Sequence, residues 1–151
     1  MNEIVLEVLN TLSDELKSRG VSTTEELSSE LWLINGHKGQ LREVVLNLVQ
    51  NAMDAMDTVA VGPRTLRLKT AQDGSEGIAI TIEDSGPGID PEKMAKIFDA
   101  YFTTKANGAG LGLAICRMII DRHEGQISVS SNPDRGTQFR ILLPSEPERA
   151  I

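Results

Sequence analysis

The chain has 151 residues, 40% of them hydrophobic and 25% charged, a balance that excludes wholesale disorder and fits one globular domain. Cys116 is the only cysteine, which excludes an internal disulfide scaffold and suits a reducing compartment. The formal net charge of −7 speaks against broad nucleic-acid or anionic-membrane binding, no apolar run reaches membrane-spanning length, and Glu3 and Glu7 stand where a signal peptide would be basic.

Residues 2–19 read as a helix, with Ile4, Val5, Val8, Leu9, Leu12 and Leu16 at spacings of three and four and Gly20 as its stop. Residues 21–34 read as two short strands or one broken strand, followed by an Asn35-Gly36 turn. Residues 38–57 carry the strongest helical pattern, with Leu41, Val44, Val45, Leu48, Ala52 and Met56 on the apolar face. After Gly62-Pro63, residues 64–70 alternate, Leu66 and Leu68 opposite Arg67 and Lys69. Residues 77–83 follow across an Asp73-Gly74 turn to form a hairpin. Residues 84–110 are rich in glycine and polar residues and read as a functional loop, with a short helix near 91–97 that starts at an Asp90 cap and Pro91. Residues 111–122 form a further helix, and 126–131 and 137–143 are strands joined by a turn over 132–136. The proline- and charge-rich tail is expected to fray. The expected fold class is α+β, with about three helices on a five-stranded, mixed but mostly antiparallel sheet.

Three motifs carry chemistry. On a helical wheel of about 100° per residue, Glu43, Asn47, Asn51 and Asp54 share a stripe about 80° wide. Asparagine and aspartate are poor helix formers, so the helix either solvates this stripe or uses its oxygens. Hard oxygen donors in a row suit Mg²⁺, which keeps several waters and takes few protein ligands. In residues 83–90 (EDSGPGID), Asp84 ends an apolar strand, and Gly86 and Gly88 let the backbone approach a ligand closely. Such a carboxylate can accept a hydrogen bond from an exocyclic amine; an ordinary Asx turn is the plainer alternative. Residues 108–113 (GAGLGL) precede a helix, whose free N-terminal amides form a phosphate site. The glycine spacing fails the dinucleotide fingerprint, and the Gly-Lys of a P-loop is absent. Between the glycine loops, Phe98, Tyr101 and Phe102 suit a lid that anchors on the body, with Lys105 placed to meet a terminal phosphate.

Together, Asn47-x-x-x-Asn51-Ala52, Asp84-x-Gly86-x-Gly88, Phe98-x-x-x-Phe102 and Gly108-x-Gly110-x-Gly112 resemble, in order and spacing, the N, G1, F and G2 boxes of sensor histidine kinases. The stretches LNLVQNAMDAM, YFTTK and GTQFRILLP are similar to the catalytic, ATP-binding domain of that family. The resemblance covers roughly residues 1–144 and implies the Bergerat-type α/β sandwich, shared with DNA gyrase, mismatch-repair ATPases and the large heat-shock chaperone. It divides the chain into an N-terminal helix, 1–20, joining to a helical hairpin outside this sequence, an ATP-binding catalytic domain, 21–144, and a tail, 145–151.

What the resemblance implies for single residues follows the matched motifs. Asn51 would ligate the Mg²⁺ that bridges the phosphates, and Asn47 would line the phosphate side. Asp84 would accept the adenine amine, Gly88 would leave room for the base, and Thr137 would support the adenine end. Gly108, Gly110, Leu111 and Gly112 would wrap the triphosphate. Asp54, Gly86, Ile89, Phe102 and Leu113 complete the expected nucleotide-binding set. Asn47, Glu43 and Lys105 are the candidate catalytic residues, Lys105 as the γ-phosphate contact. The implied cofactors are ATP and Mg²⁺. The implied partners are the histidine-bearing dimerisation domain of a parent kinase and, indirectly, a response regulator. Neither nucleic acid nor membrane is expected to touch this domain, which would be a cytoplasmic monomer, whether or not the parent is membrane-anchored.

One position separates branches of the resemblance. ATP-hydrolysing relatives carry a glutamate four residues before the metal asparagine; here that residue is Asn47, and an amide is no general base. Binding without fast hydrolysis is therefore expected. A stand-alone ATPase, an anti-sigma-like serine kinase and a nucleotide-sensing interaction module are the alternatives. The chain departs from the family pattern in three places. It has no phosphoacceptor motif, His-Glu-Gly (123–125) stands in place of His-Gly-Gly, and Ala100-Tyr101 replaces Pro-Phe. His123 is expected to be structural, and Cys116 a buried small hydrophobe.

Overall fold

The structure is a computed structural model and describes residues 1–59, 62–74, 77–102, 110–132 and 136–146. In chain order the elements are α1 (Asn2–Thr11), α2 (Ser13–Ser18), β1 (Val21–Leu27), α3 (Lys38–Asp57), β2 (Arg64–Asp73), β3 (Gly77–Asp84), α4 (Pro91–Met94), α5 (Gly112–Arg122), β4 (Gln126–Asn132) and β5 (Gly136–Pro144). The sheet has five strands in the order β1-β2-β3-β5-β4. β1 and β2 are parallel, because α3 carries the chain back between them; every other pair is antiparallel. The mixed, mostly antiparallel α+β sheet expected from the sequence is the one observed.

The helix read over 2–19 is in fact two, α1 and α2, broken at Leu12. Thr11 Oγ1 donates to Glu7 O at 2.9 Å, a back-bond that bends helices. Both pieces turn apolar residues (Ile4, Val5, Val8, Leu9 and Leu16) into the same core as α3. The broken-strand region resolves into β1 and a single bridge, in which Leu33 O accepts the Glu146 amide at 2.8 Å. The Trp32 amide donates to Gln72 Oε1 at 3.1 Å, which ties the same stretch to β2.

The core lies between the sheet and a layer formed by α1, α3 and α5. Alternate strand residues enter it: Leu66 and Leu68 from β2, Ile78, Ile80 and Ile82 from β3, Phe139, Ile141 and Leu143 from β5. The intervening positions face water and pair across strands, as in Arg67–Glu26 at 2.7 Å and Arg67–Glu83 at 3.7 Å.

Both histidines fasten helix ends. His37 caps α3, its ring Nδ1 accepting the Gln40 amide at 3.1 Å. His123 Nε2 accepts the His37 amide at 2.9 Å while Nδ1 stands 2.7 Å from Ile119 O, so this network puts the proton on Nδ1. The ring thus joins the end of α5 to the start of α3. Just beyond, Glu124 closes α5 with φ +58, and the Gly125 amide donates to Ile120 O at 2.9 Å.

Candidate functional site

A cavity of about 1070 Å³ opens between α3, the ends of β3 and β5, and the start of α5. Its buried carboxyl follows from strand alternation. Ile78, Ile80 and Ile82 point into the core, and the next residue of that face is Asp84, only 7% exposed. Asp84 Oδ1 accepts the Gly86 amide at 2.8 Å. Thr137, its partner in register on β5, also donates its amide. Burial pushes the carboxyl up to about 6, although both hydrogen bonds pull the other way. Gly136 packs flat on this strand end with φ +89; a Cβ there would collide with the Asp84 carbonyl.

The opposite end of the cavity is built from backbone donors. Among the described residues, α5 starts at Leu111 without a side-chain cap or an acidic residue in its first turn, and leading amides of this kind suit an anion. Gly112 brings this helix start beside α3: a Cβ on it would lie 3.8 Å from Asn47 Oδ1. Gly110 has φ +72 and accepts the Tyr101 amide at 2.8 Å; a Cβ on it would sit 2.5 Å from the Tyr101 carbonyl carbon. Tyr101 itself has φ +67 and is exposed. Under Asn47 lies Cys116, fully buried and hydrogen-bonded to the Asn47 side chain, its thiol pushed up to about 12 by burial. A thiol held neutral in this way fills space and supports Asn47.

The cavity wall gathers Asn47, Asn51, Asp54, Asp84, Gly88, Ile89, Phe102, Gly110, Leu111, Gly112, Leu113 and Thr137. Gly86 is off the wall, and its amide holds Asp84. Glu43 is exposed and outside the cavity, because α5 closes the wall at Asn47 and Glu43 lies about 6 Å further along α3. The structure therefore does not bring Glu43 to the site, contrary to its candidate catalytic place. Lys105 and Gly108 fall outside the described residues, as does most of the tail.

Residues that the motifs did not point to also line the cavity: Glu15 and Arg19 from the N-terminal helices, Ala55 and Thr58 on α3, and Lys93 on α4. Arg19 Nη1 meets Asp54 at 3.0 Å and Asp57 at 2.8 Å, while Nη2 meets Glu15 at 2.7 Å. The hydrogen bond to Asp54, with the neighbouring carboxylates, holds Arg19 above its ordinary pKa. Asp54 is thus on the cavity wall and in an ion pair at once. Phe98, the first residue of the F box, anchors edge-on to Phe139 at 6.2 Å, with the Arg117 guanidinium 5.8 Å from its centroid.

The donor set fits a weakly held divalent cation. Asn47 and Asn51 stand one turn apart on the wall, and an amide oxygen is a hard donor of the kind that such a cation takes. Mg²⁺ would be held there through one or two such side chains, with waters and substrate phosphates as its other ligands.

The family model described as histidine kinase-, DNA gyrase B-, and HSP90-like ATPase matches residues 36–147. The signal transduction histidine-protein kinase AtoS of Escherichia coli (strain K12) is 39% identical over 148 residues, 98% of this chain and 24% of AtoS. The chain thus spans about a quarter of that relative's length. The nucleotide-free catalytic domain of histidine kinase ThkA has a TM-score of 0.83 and 31% identity, over 97% of this chain and 95% of that one. ThkA in complex with the response regulator TrrA gives a TM-score of 0.79 at 28% identity, over 99% of this chain and 42% of that one. Full-length ShkA in complex with AMPPNP gives 0.84 at 26% identity, over 98% of this chain and 30% of that one.

Proposed function

The chain belongs to the histidine kinase-, DNA gyrase B- and HSP90-like ATPase family, and we propose that it is the catalytic domain of a sensor histidine kinase. It binds Mg-ATP and offers the γ-phosphoryl group to a histidine on a separate dimerisation domain. The observation that carries this reading is the polarity of the cavity. A buried carboxyl stands at one end, and open helix amides beside two asparagines stand at the other. Adenine fits the first end, its amine donating to Asp84 beside Thr137, with Gly88 and Ile89 along the ring. The phosphates fit the second, on the amides of Gly112 and Leu113. A metal held through Asn51, with Asn47 beside it, would neutralise phosphate charge.

Phosphoryl transfer depends mainly on positioning and charge neutralisation, so the domain needs no general base when an imidazole is brought in line. Asn47 takes the place of the glutamate that the resemblance implies for hydrolysing relatives, and among the described residues Glu43 is off the wall, so neither position supplies a base there. His37 and His123 are committed to helix ends, which leaves the acceptor to the partner domain. The response regulator then takes the phosphoryl group from that histidine. In the full kinase, residues 1–20 lead from the dimerisation hairpin into the ATP-binding unit, and this domain by itself is a monomer on the cytoplasmic side. Among the described residues, no helix is long and apolar enough to cross a membrane.

The test is a titration with Mg-ATP and a measurement of ADP production in the same sample. Binding without turnover, followed by transfer to an added histidine-bearing dimerisation domain, is the expected result. Steady turnover by the chain alone moves it to the ATPase branch; absence of binding removes the nucleotide altogether.

A further inference from the structure

Ser131 lies on β4 opposite Thr137 and is not part of the cavity wall. Its hydroxyl accepts the Ile89 amide at 2.6 Å and stands 3.3 Å from Gly136 O, to which it donates. Ile89 and Gly88 do line the cavity, and Gly136 packs on the Asp84 carbonyl. A single hydroxyl therefore joins the far end of the loop after β3 to the strand pair that presents Asp84 and Thr137.

The near end of that loop is fastened separately. The Ser85 amide donates to Thr65 O at 3.1 Å. Its hydroxyl accepts the Thr65 amide at 2.8 Å and donates to Pro63 O at 3.0 Å. The Gly86 amide is held by Asp84. Pro87 has no N–H to add. Among the described residues, the hydrogen bond that ties Ile89 to the sheet is the Ser131 contact, beside the packing of the Ile89 side chain against the core.

We infer that Ser131 is a positioning residue for the purine end of the cavity: it holds the Gly88–Ile89 backbone at a set distance from Asp84 and so fixes the width of the base slot. The inference rests on the reading that the cavity takes an adenine nucleotide. Its physical basis is the half-buried Ile89 amide. Without the hydroxyl that N–H has to find water, and the loop has to move outward to reach it. A wider slot loses contact with the base and leaves the phosphate end untouched, because Asn47 and the start of α5 are held by other elements.

The test compares the whole chain with Ser131→Ala and Ser131→Thr, titrated with ATP, adenosine and GTP, while amide exchange at Ile89 is followed by NMR without ligand. Ser131→Ala is expected to weaken ATP and adenosine by the same factor, about fivefold. It should also narrow the preference for ATP over GTP and speed exchange at Ile89. Threonine, which keeps the hydroxyl, should restore all three; a role in general stability would not move the base preference. The inference is overturned if Ser131→Ala binds like the wild type, if the loss falls on ATP alone, or if threonine behaves like alanine. A wild-type chain that binds none of the three ligands overturns the nucleotide reading and the slot with it. A wild-type chain that binds them, with an indistinguishable Ser131→Ala, overturns the slot alone.

Discussion

Asp84 makes a quantitative claim about pH. Its carboxyl rises from 3.8 to about 6 on folding because burial disfavours the charge more than the Gly86 and Thr137 amides favour it. At 1.36 kcal/mol per unit, that difference is worth about 3 kcal/mol. The sign follows from proton binding. Between the two values the folded chain holds a proton that the unfolded chain has lost, so raising the pH destabilises the fold. The contribution is fully present below the unfolded value and is lost as pH rises through about 6. Asp84→Asn keeps an oxygen for the Gly86 amide and cannot titrate. Urea unfolding of both proteins at steps between about pH 4 and pH 8 isolates the effect, because other groups cancel in the difference. The wild type should lose about 2.4 kcal/mol relative to the asparagine variant across that range, the rest of the difference lying below pH 4, where the unfolded carboxyl begins to ionise. A difference that stays flat with pH refutes the reasoning. On the proposed reading the same carboxylate accepts an adenine amine, so adenosine should bind more tightly as pH rises through about 6. Near that pH a proton should be released on binding, visible as a dependence of the calorimetric heat on buffer ionisation enthalpy. Asp84→Asn should bind adenosine more weakly and show neither effect.

Three further outcomes are expected. Glu124→Gly should stabilise the ligand-free chain by about 1 kcal/mol in chemical denaturation, because Glu124 closes α5 at φ +58, a conformation that costs a side chain and suits glycine. A neutral or destabilising result would mean that the Glu124 side chain makes up for its backbone. Gly136→Ala should destabilise by more than about 4 kcal/mol or leave the chain insoluble, since its Cβ collides with backbone and β5 cannot move without opening the sheet. Near-normal unfolding would show that the two strand ends are further apart than the structure has them. Asn51→Ala should keep adenosine affinity within about twofold and lose most of the gain in ATP affinity that Mg²⁺ provides. An undiminished response to Mg²⁺ in that variant removes Asn51 from the metal.

The readable parts of the sequence were those where local pattern and tertiary role coincide. α3 is a 20-residue amphipathic helix, and its Asn47 and Asn51 break the propensity rule on the face that lines the cavity. Asp84 could be found by continuing the alternation of Ile78, Ile80 and Ile82 one step into a residue that does not belong in a core. β1 was hard to read because it is an edge strand whose residues 22–26 are all exposed; without a buried face it has no alternation to betray it. The break at Leu12 lay hidden because Thr11 is neutral in any periodicity count and bends the helix only through a bond to Glu7.

Arg19 and Ser131 were illegible for a different reason. Their significance is set by partners 35 and 42 residues away, and nothing in the local spacing of either names Asp54 or Ile89. Arg19 beside Asp54 and Ser131 behind Ile89 each hold a residue of the cavity wall. The motif residues themselves are mostly glycines, amides and two carboxyls, groups that touch a ligand with little rotamer freedom of their own. A cavity built in that way has its geometry set by side chains outside the motifs: the Arg19 network beside Asp54, the thiol under Asn47 and the hydroxyl behind Ile89. A motif can therefore identify the chemistry of such a site, while its dimensions depend on side chains that the motif does not contain.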